Sequence, residues 1–137
     1  MIIVWNNIVY SNQVYLKKEL ITEATISLMN RIVDDVEDYE NYEPGVTKVA
    51  LYGSFEDSDY VTDIDGFEDI AIYGMGKTAV TYQGVDYAMI SYIINANISL
   101  DRITNEEDIA IVNEMPSYPS HGSIGYVGDI LVVKISD

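Results

Sequence analysis

The chain reads as an α/β domain of α+β character, a small mixed sheet packed by helices, and three stretches carry that expectation. Thr47–Phe55, TKVALYGSF, contains a continuously apolar run at Val49–Tyr52. A strand covered on both faces looks like that, whereas a half-solvated strand alternates. Ser123–Val127 and Ile130–Ile135 flank Gly128-Asp129; a two-residue Gly-Asp loop between strands signals a type II′ hairpin. The third stretch is N-terminal. Leu20, Ile21, Ala24, Leu28, Ile32 and Val36 follow helical spacing, with Met29 and Val33 broadening the stripe. The expected architecture is a central buried strand at 47–54 beside a hairpin at 123–135, packed by a long N-terminal helix and two further helices.

Taken in order, residues from about Trp5 to Tyr39 form one helix, since no Gly or Pro occurs before Pro44. Such a helix runs to roughly 50 Å, longer than a small domain is wide, so its first turns project beyond the core. Asp34, Asp35, Glu37, Asp38 and Glu40 crowd its C-terminus, against the helix dipole, and read as a solvated end. The central strand is entered through Pro44-Gly45 and left through Gly53-Ser54. Glu56–Asp69 is acidic, lacks a period, and reads as a loop. Ala71–Tyr73 and Thr78–Tyr82 read as short strands around a turn at Gly74–Lys77. Val85–Asn97 is apolar nearly all round and reads as a buried helix. Thr104-Asn105-Glu106-Glu107 is a capping box opening a third helix. Ile109, Val112 and the Ile111/Met115 pair supply its packed side, and Pro116 stops it. In the last strand, Leu131, Val133 and Ile135 share one face while Ile130 and Val132 share the other, so both faces are covered.

The totals narrow the function classes. The 137 residues suffice for one domain with a core, and 48% hydrophobic against 22% charged content is globular, not disordered. Seven basic residues face 23 acidic ones, giving a formal charge of −16. Nucleic acid is excluded as a partner, because phosphate binding needs clustered Lys and Arg. The same charge repels an anionic membrane surface unless the chain is tethered there. Absence of cysteine excludes disulfides and leaves the compartment open. No stretch reaches the roughly 18 apolar residues of a membrane span. Met1–Trp5 is strongly apolar before Asn6-Asn7 interrupts, and no basic region precedes it as in a signal peptide. It reads either as an ordinary helix start or as the outer end of a transmembrane helix.

Several motifs approach known chemistry. Gly74-Met75-Gly76-Lys77-Thr78 resembles the end of a phosphate-binding loop, but Ala71 stands where the motif needs glycine. Asp63-x-Asp65-Gly66 matches part of an EF-hand loop, but Val61 and Ile72 would occupy ligand positions 1 and 12. The stretch Asp57–Asp69 is therefore read as a solvated acidic loop, and no metal site is expected. His121, the only histidine, lies in Pro119-Ser120-His121-Gly122-Ser123, and no Gly-x-Ser-x-Gly elbow accompanies it. Twelve tyrosines raise the idea of a sugar-stacking platform drawn from Tyr39, Tyr42, Tyr52, Tyr60, Tyr73, Tyr82, Tyr118 and Tyr126; the competing reading is core aromatics with hydroxyls reaching water.

The ordered set Asn12-x-x-Tyr15-Leu16-Lys17-Lys18, the Thr25–Val33 helix, Tyr42-Glu43-Pro44-Gly45 before a buried strand, and Met115-Pro116-x-x-Pro119-x-x-Gly122-Ser123-Ile124 before Ile130–Ile135 resembles one family. It is similar to the C-terminal extracytoplasmic domain of bacterial multi-pass membrane glucosyltransferases, the type II Gtr proteins. The resemblance spans nearly the whole chain and is weakest over Glu56–Tyr82. It implies an enzyme that moves glucose from a polyprenyl-phosphate carrier to a surface glycan, with its catalytic acids in membrane loops outside this chain. Residues 1–9 would then be the end of a transmembrane helix or a helix extension, and 10–137 a single soluble domain on the extracytoplasmic face of the cell membrane. Partners would be the membrane-embedded part of the same polypeptide and a surface glycan. No catalytic residue and no cofactor are expected. A ligand is first sought at Gly53, Ser54, Ser120 and His121, because α/β sheets bind at the carboxyl ends of their strands. The alternatives are a free-standing interaction module whose apolar N-terminal helix docks on a partner, and a small hydrolase using His121 with Ser120 or an acid.

Overall fold

The computed structural model describes residues 2–70 and 88–137. It contains a four-stranded mixed sheet and helices on both of its faces. Helix α1 spans Ile2–Glu37, followed by β1 (Lys48–Tyr52), a 3-10 turn (Phe55–Asp57) and the short α2 (Asp59–Thr62). After the π-wound turn Met89–Ile94 come β2 (Ser99–Leu100), α3 (Glu106–Glu114), β3 (Ile124–Val127) and β4 (Ile130–Lys134). The strand order is β2-β1-β4-β3. β1 runs parallel to β2 and β4, and β3 closes the hairpin antiparallel to β4.

The register explains the apolar runs. Val49 lies opposite Leu131, and Leu51 opposite Val133. These side chains point to the face covered by Ile21, Leu28, Ile32 and Val36 of α1. Val132 points the other way, against Val112 of α3 and Val127. Both interior strands are thus covered above and below, which is why neither alternates. Burial is deepest along β4, where Leu131 through Lys134 are all buried, and lighter at the ends of β1. Gly128 takes φ +63° while Asp129 stays at negative φ, the φ signs of a type II′ turn.

Lys134 is the exception in this apolar strand. Its position in the pleat aims it at α3. There its buried ammonium donates to the carbonyls of Asn113 (3.0 Å) and Met115 (2.9 Å) and meets the Asp137 carboxylate at 2.7 Å. A cation therefore satisfies the carbonyl end of α3, where the helix dipole is negative.

Several local expectations are corrected. The stretch expected as a loop over Glu56–Asp69 holds most of the 3-10 turn, which opens at the buried Phe55, and all of α2, and it buries Val61. Ser54 starts the turn by accepting from the Glu56 amide at 3.1 Å. The end of the segment expected to be a buried helix over 85–97 is a π-wound turn that buries Ile90 but leaves Tyr92 and Ile93 exposed. α3 is capped one residue later than expected: Asn105, not Thr104, accepts from the Glu107 amide. Within it Val112 is fully buried, but Ile111 faces solvent. The short strands and the glycine-rich turn expected between Ala71 and Tyr82 lie outside the described residues.

Replacing Lys134 by Met keeps the apolar stem but leaves two carbonyls without their donor. Chemical denaturation of Lys134→Met is expected to show a loss of about 1–3 kcal/mol. Asp137→Asn, which alters only the exposed partner, is expected to leave the midpoint almost unmoved.

Candidate functional site

Because β1 and β4 are parallel, their carboxyl ends emerge side by side. The Ile135 amide donates to the Tyr52 carbonyl at 2.7 Å, so the last residues of the chain continue along the end of β1. A cleft of about 650 Å³ opens at this edge. One wall comes from Asp57, Ser58 and Tyr60, between the 3-10 turn and α2. The loop 117–120 supplies a second wall and residues 135–137 a third. That loop is tied to the sheet by the Tyr118 amide, which donates to the Lys134 carbonyl at 2.7 Å.

Two side chains from one face of α1, spaced i and i+4, set the aromatic groups. Asp35 accepts a hydrogen bond from the Tyr118 hydroxyl, and Arg31 donates to the Tyr60 hydroxyl. The Arg31 guanidinium also lies 5.1 Å from the centroid of the Tyr60 ring, a cation–π contact. Burial, reinforced by the Asp35 carboxylate, pushes the Tyr118 phenol up to about 12. It therefore stays a neutral donor throughout the physiological range. At the opposite wall the Lys134 ammonium holds the Asp137 carboxyl below its usual range. Asp35 was expected in a purely solvated acidic end; it is instead a partner of the cleft.

The hydroxyls differ in their commitments. Ser136 accepts from the Ser54 amide at 2.8 Å. Ser58 is only 5% exposed, lines the cleft, and its hydroxyl has no hydrogen-bond partner among the described residues. Buried hydroxyls are nearly always bonded, to protein or to ordered water, so this one stands out among the described residues.

Of the four residues anticipated from sequence, Ser120 lines the cleft. Ser54 stands behind the wall as the support of Ser136. Gly53 takes φ +98°, and a Cβ there would lie 2.6 Å from the Ser136 amide nitrogen, so only glycine lets the end of β1 approach this segment. His121 is exposed beside the cleft without lining it, and among the described residues its imidazole makes no hydrogen bond. No Ser–His pair is formed by it. Tyr60 and Tyr118, two of the eight tyrosines singled out, meet at the cleft. Tyr39 and Tyr126 stack edge to face elsewhere, 5.8 Å apart, and Tyr52 donates to Asn113. Tyr73 and Tyr82 lie outside the described residues. Among the described residues, no group of three or more His, Asp or Glu side chains gathers as metal ligands. What the described lining offers chemically is hydrogen bonding and aromatic surface.

No family model matches this chain, and no curated protein and no solved structure is significantly similar to it.

Two outcomes follow for the stability of the site. Gly53→Ala strains the positive φ and collides with Ser136. Denaturation is expected to show a loss of at least about 1 kcal/mol. For Tyr118, the unfolded phenol ionises near pH 10 and the folded one near 12. The folded state holds this proton more tightly, so the contribution is complete below pH 10 and is lost as pH rises from 10 towards 12. Melting temperatures across that window should fall less steeply for Tyr118→Phe than for the parent protein.

Proposed function

We propose that this chain is a non-catalytic accessory domain of a membrane glucosyltransferase, held on the extracytoplasmic face, where the enzyme moves glucose from a polyprenyl-phosphate carrier to a surface glycan. The observation that carries the reading is the bare start of α1. Full burial along this 36-residue helix begins only at Ile21. Ile2, Ile3, Val4 and Trp5 are 62–77% exposed, and Ile8, Val9 and Tyr10 are also exposed. Residues 2–16 carry no charged side chain, although the chain as a whole bears −16. Apolar surface of this extent is costly in water and marks a contact with something apolar. No helix among the described residues is long and apolar enough to cross a membrane. On this proposal the exposed apolar first turns lie at the lipid boundary as the outer end of a span, with Trp5 at the depth where aromatic side chains collect. The family resemblance adds the enzyme class, and its Pro44-Gly45, Met115-Pro116 and Ile130–Ile135 pieces fall at the entry to β1, the end of α3 and along β4.

Trp5 is the single tryptophan, so its emission reports on this arm alone. Adding zwitterionic phosphatidylcholine vesicles is expected to move the emission to shorter wavelength and to carry the protein into the floating lipid fraction. Unchanged emission with all the protein left in the lipid-free fraction would sink the placement. So would a gene whose reading frame opens at Met1 with no hydrophobic spans ahead of it.

A further inference from the structure

The cleft at the ends of β1 and β4 is lined by a buried hydroxyl, that of Ser58, which has no hydrogen-bond partner among the described residues. We infer that it binds a neutral saccharide, one pyranose unit lying against Tyr60 with its hydroxyls bonded to Ser58 and the neighbouring wall. This deepens the functional reading by naming the ligand of the domain, and it rests on that reading only for the source of the sugar.

Three features select this ligand class. The first is the buried Ser58 hydroxyl at the cleft wall, which lacks a partner among the described residues. A hydroxyl both gives and receives a hydrogen bond, and a sugar hydroxyl answers both needs at once. Ser117 and Ser120, also at the wall, have side-chain hydroxyls that are likewise unengaged among the described residues. The second is the mixed character of the lining. Tyr60, Pro119 and Ile135 supply apolar surface between these hydroxyls. A pyranose has an apolar C–H face and a polar rim and matches such a wall, whereas a hydrocarbon would strand the serines. Tyr60 is 43% exposed, and its hydroxyl and ring are already held by Arg31, so the platform is preorganised.

The third feature is charge. Asp57 and Asp137 stand at the cleft, and Asp35 lies behind Tyr118. Among the described residues the cations beside the cleft are Arg31, which donates to Tyr60, and Lys134, which meets Asp137 and the end of α3. The carboxylates outnumber these cations, so a phosphate or uronate meets net repulsion, while a neutral sugar finds carboxylate acceptors for its hydroxyls.

The test is an amide chemical-shift titration of the protein with two probes at millimolar concentration. One is a neutral glucose-containing tetrasaccharide; the other is a uronic acid oligosaccharide of equal length. The neutral probe is expected to shift Ser58, Tyr60 and residues 117–120 in a saturable way, and the acidic probe is expected to bind at least about fivefold more weakly. Tyr60→Ala should weaken the neutral probe roughly tenfold. Tyr92→Ala, which removes an exposed aromatic on the π-wound turn, should leave its affinity unchanged. Ser58→Ala, a small change at a site with no partner to lose, keeps the fold and should also weaken it. The inference is overturned by shifts that never saturate, by shifts confined to other surfaces, by preference for the acidic probe, or by full affinity in both Tyr60→Ala and Ser58→Ala. Vesicle flotation of Tyr60→Ala separates the two readings: a cleft that fails on an arm that still binds lipid leaves the membrane placement standing, and the reverse result leaves the saccharide cleft standing.

Discussion

The parallel pairing of β1 with β4, roofed by α1 and floored by α3, is the constraint from which the other features follow. Parallel strands need coverage on both faces, because their connections pass over the sheet and not around its edge. That demand makes Val49 and Leu131–Val133 apolar on consecutive positions. It also brings both carboxyl ends to one edge, so the backbone beyond Tyr52 and the backbone beyond Lys134 must share a narrow space. Gly53 is the residue that permits that approach, and the Ser54–Ser136 bond closes it. The cleft is what remains beside this junction when α2 and the 117–120 loop pack around it.

Placing Lys134 in the most buried strand fits the same constraint. β4 has one side facing α3, and a helix ends there with carbonyls turned inward. An apolar side chain would fill the space but leave those oxygens without donors. A lysine fills it with its stem and answers them with its ammonium. The single strand therefore does two kinds of packing: hydrocarbon towards α1, and hydrocarbon ended by a charge towards α3.

How much could be read in the residues depended on whether a signal was local. The β1 run, the β3–β4 hairpin with its Gly-Asp turn, and the length of α1 are all encoded in neighbouring residues, and the structure carries each of them. Thr104 and Asn105 are both good caps, and which one is used depends on how the chain arrives from β2, a tertiary matter. β2 itself has two residues, too few for any pattern; it pairs because β1 offers a free edge. The 85–97 stretch is apolar all round, so periodicity could not say that Tyr92 and Ile93 would face water. A π-wound turn shifts side chains off the 3.6-residue faces in any case. The cleft was legible in part. The rule that ligands sit at strand ends leads to Ser120 and to the Gly53-Ser54 support. It says nothing of Ser58 and Tyr60, hidden in an acidic stretch with no period. The i, i+4 spacing of Arg31 and Asp35 was visible, but their partners Tyr60 and Tyr118 lie 29 and 83 residues away in the chain. Only the fold joins them.

The two proposals are linked through α1. The helix is exposed and charge-free at its first turns and carries Arg31 and Asp35, the residues that brace the cleft, near its far end. At 1.5 Å per residue, Trp5 and Arg31 are separated by about 40 Å along the helix. If the first turns sit at the lipid boundary, the cleft stands several nanometres out in water, beyond the Debye length of the headgroup charges. A strongly acidic body is well placed there. It gains nothing from lying against an anionic surface, and the same repulsion holds it off. A neutral saccharide is the ligand least affected by that field, because it brings no net charge into it. On the two proposals taken together, net charge, the exposed apolar first turns and the lining of the cleft would belong to one arrangement, a rod with a saccharide cleft at one end and a lipid contact at the other.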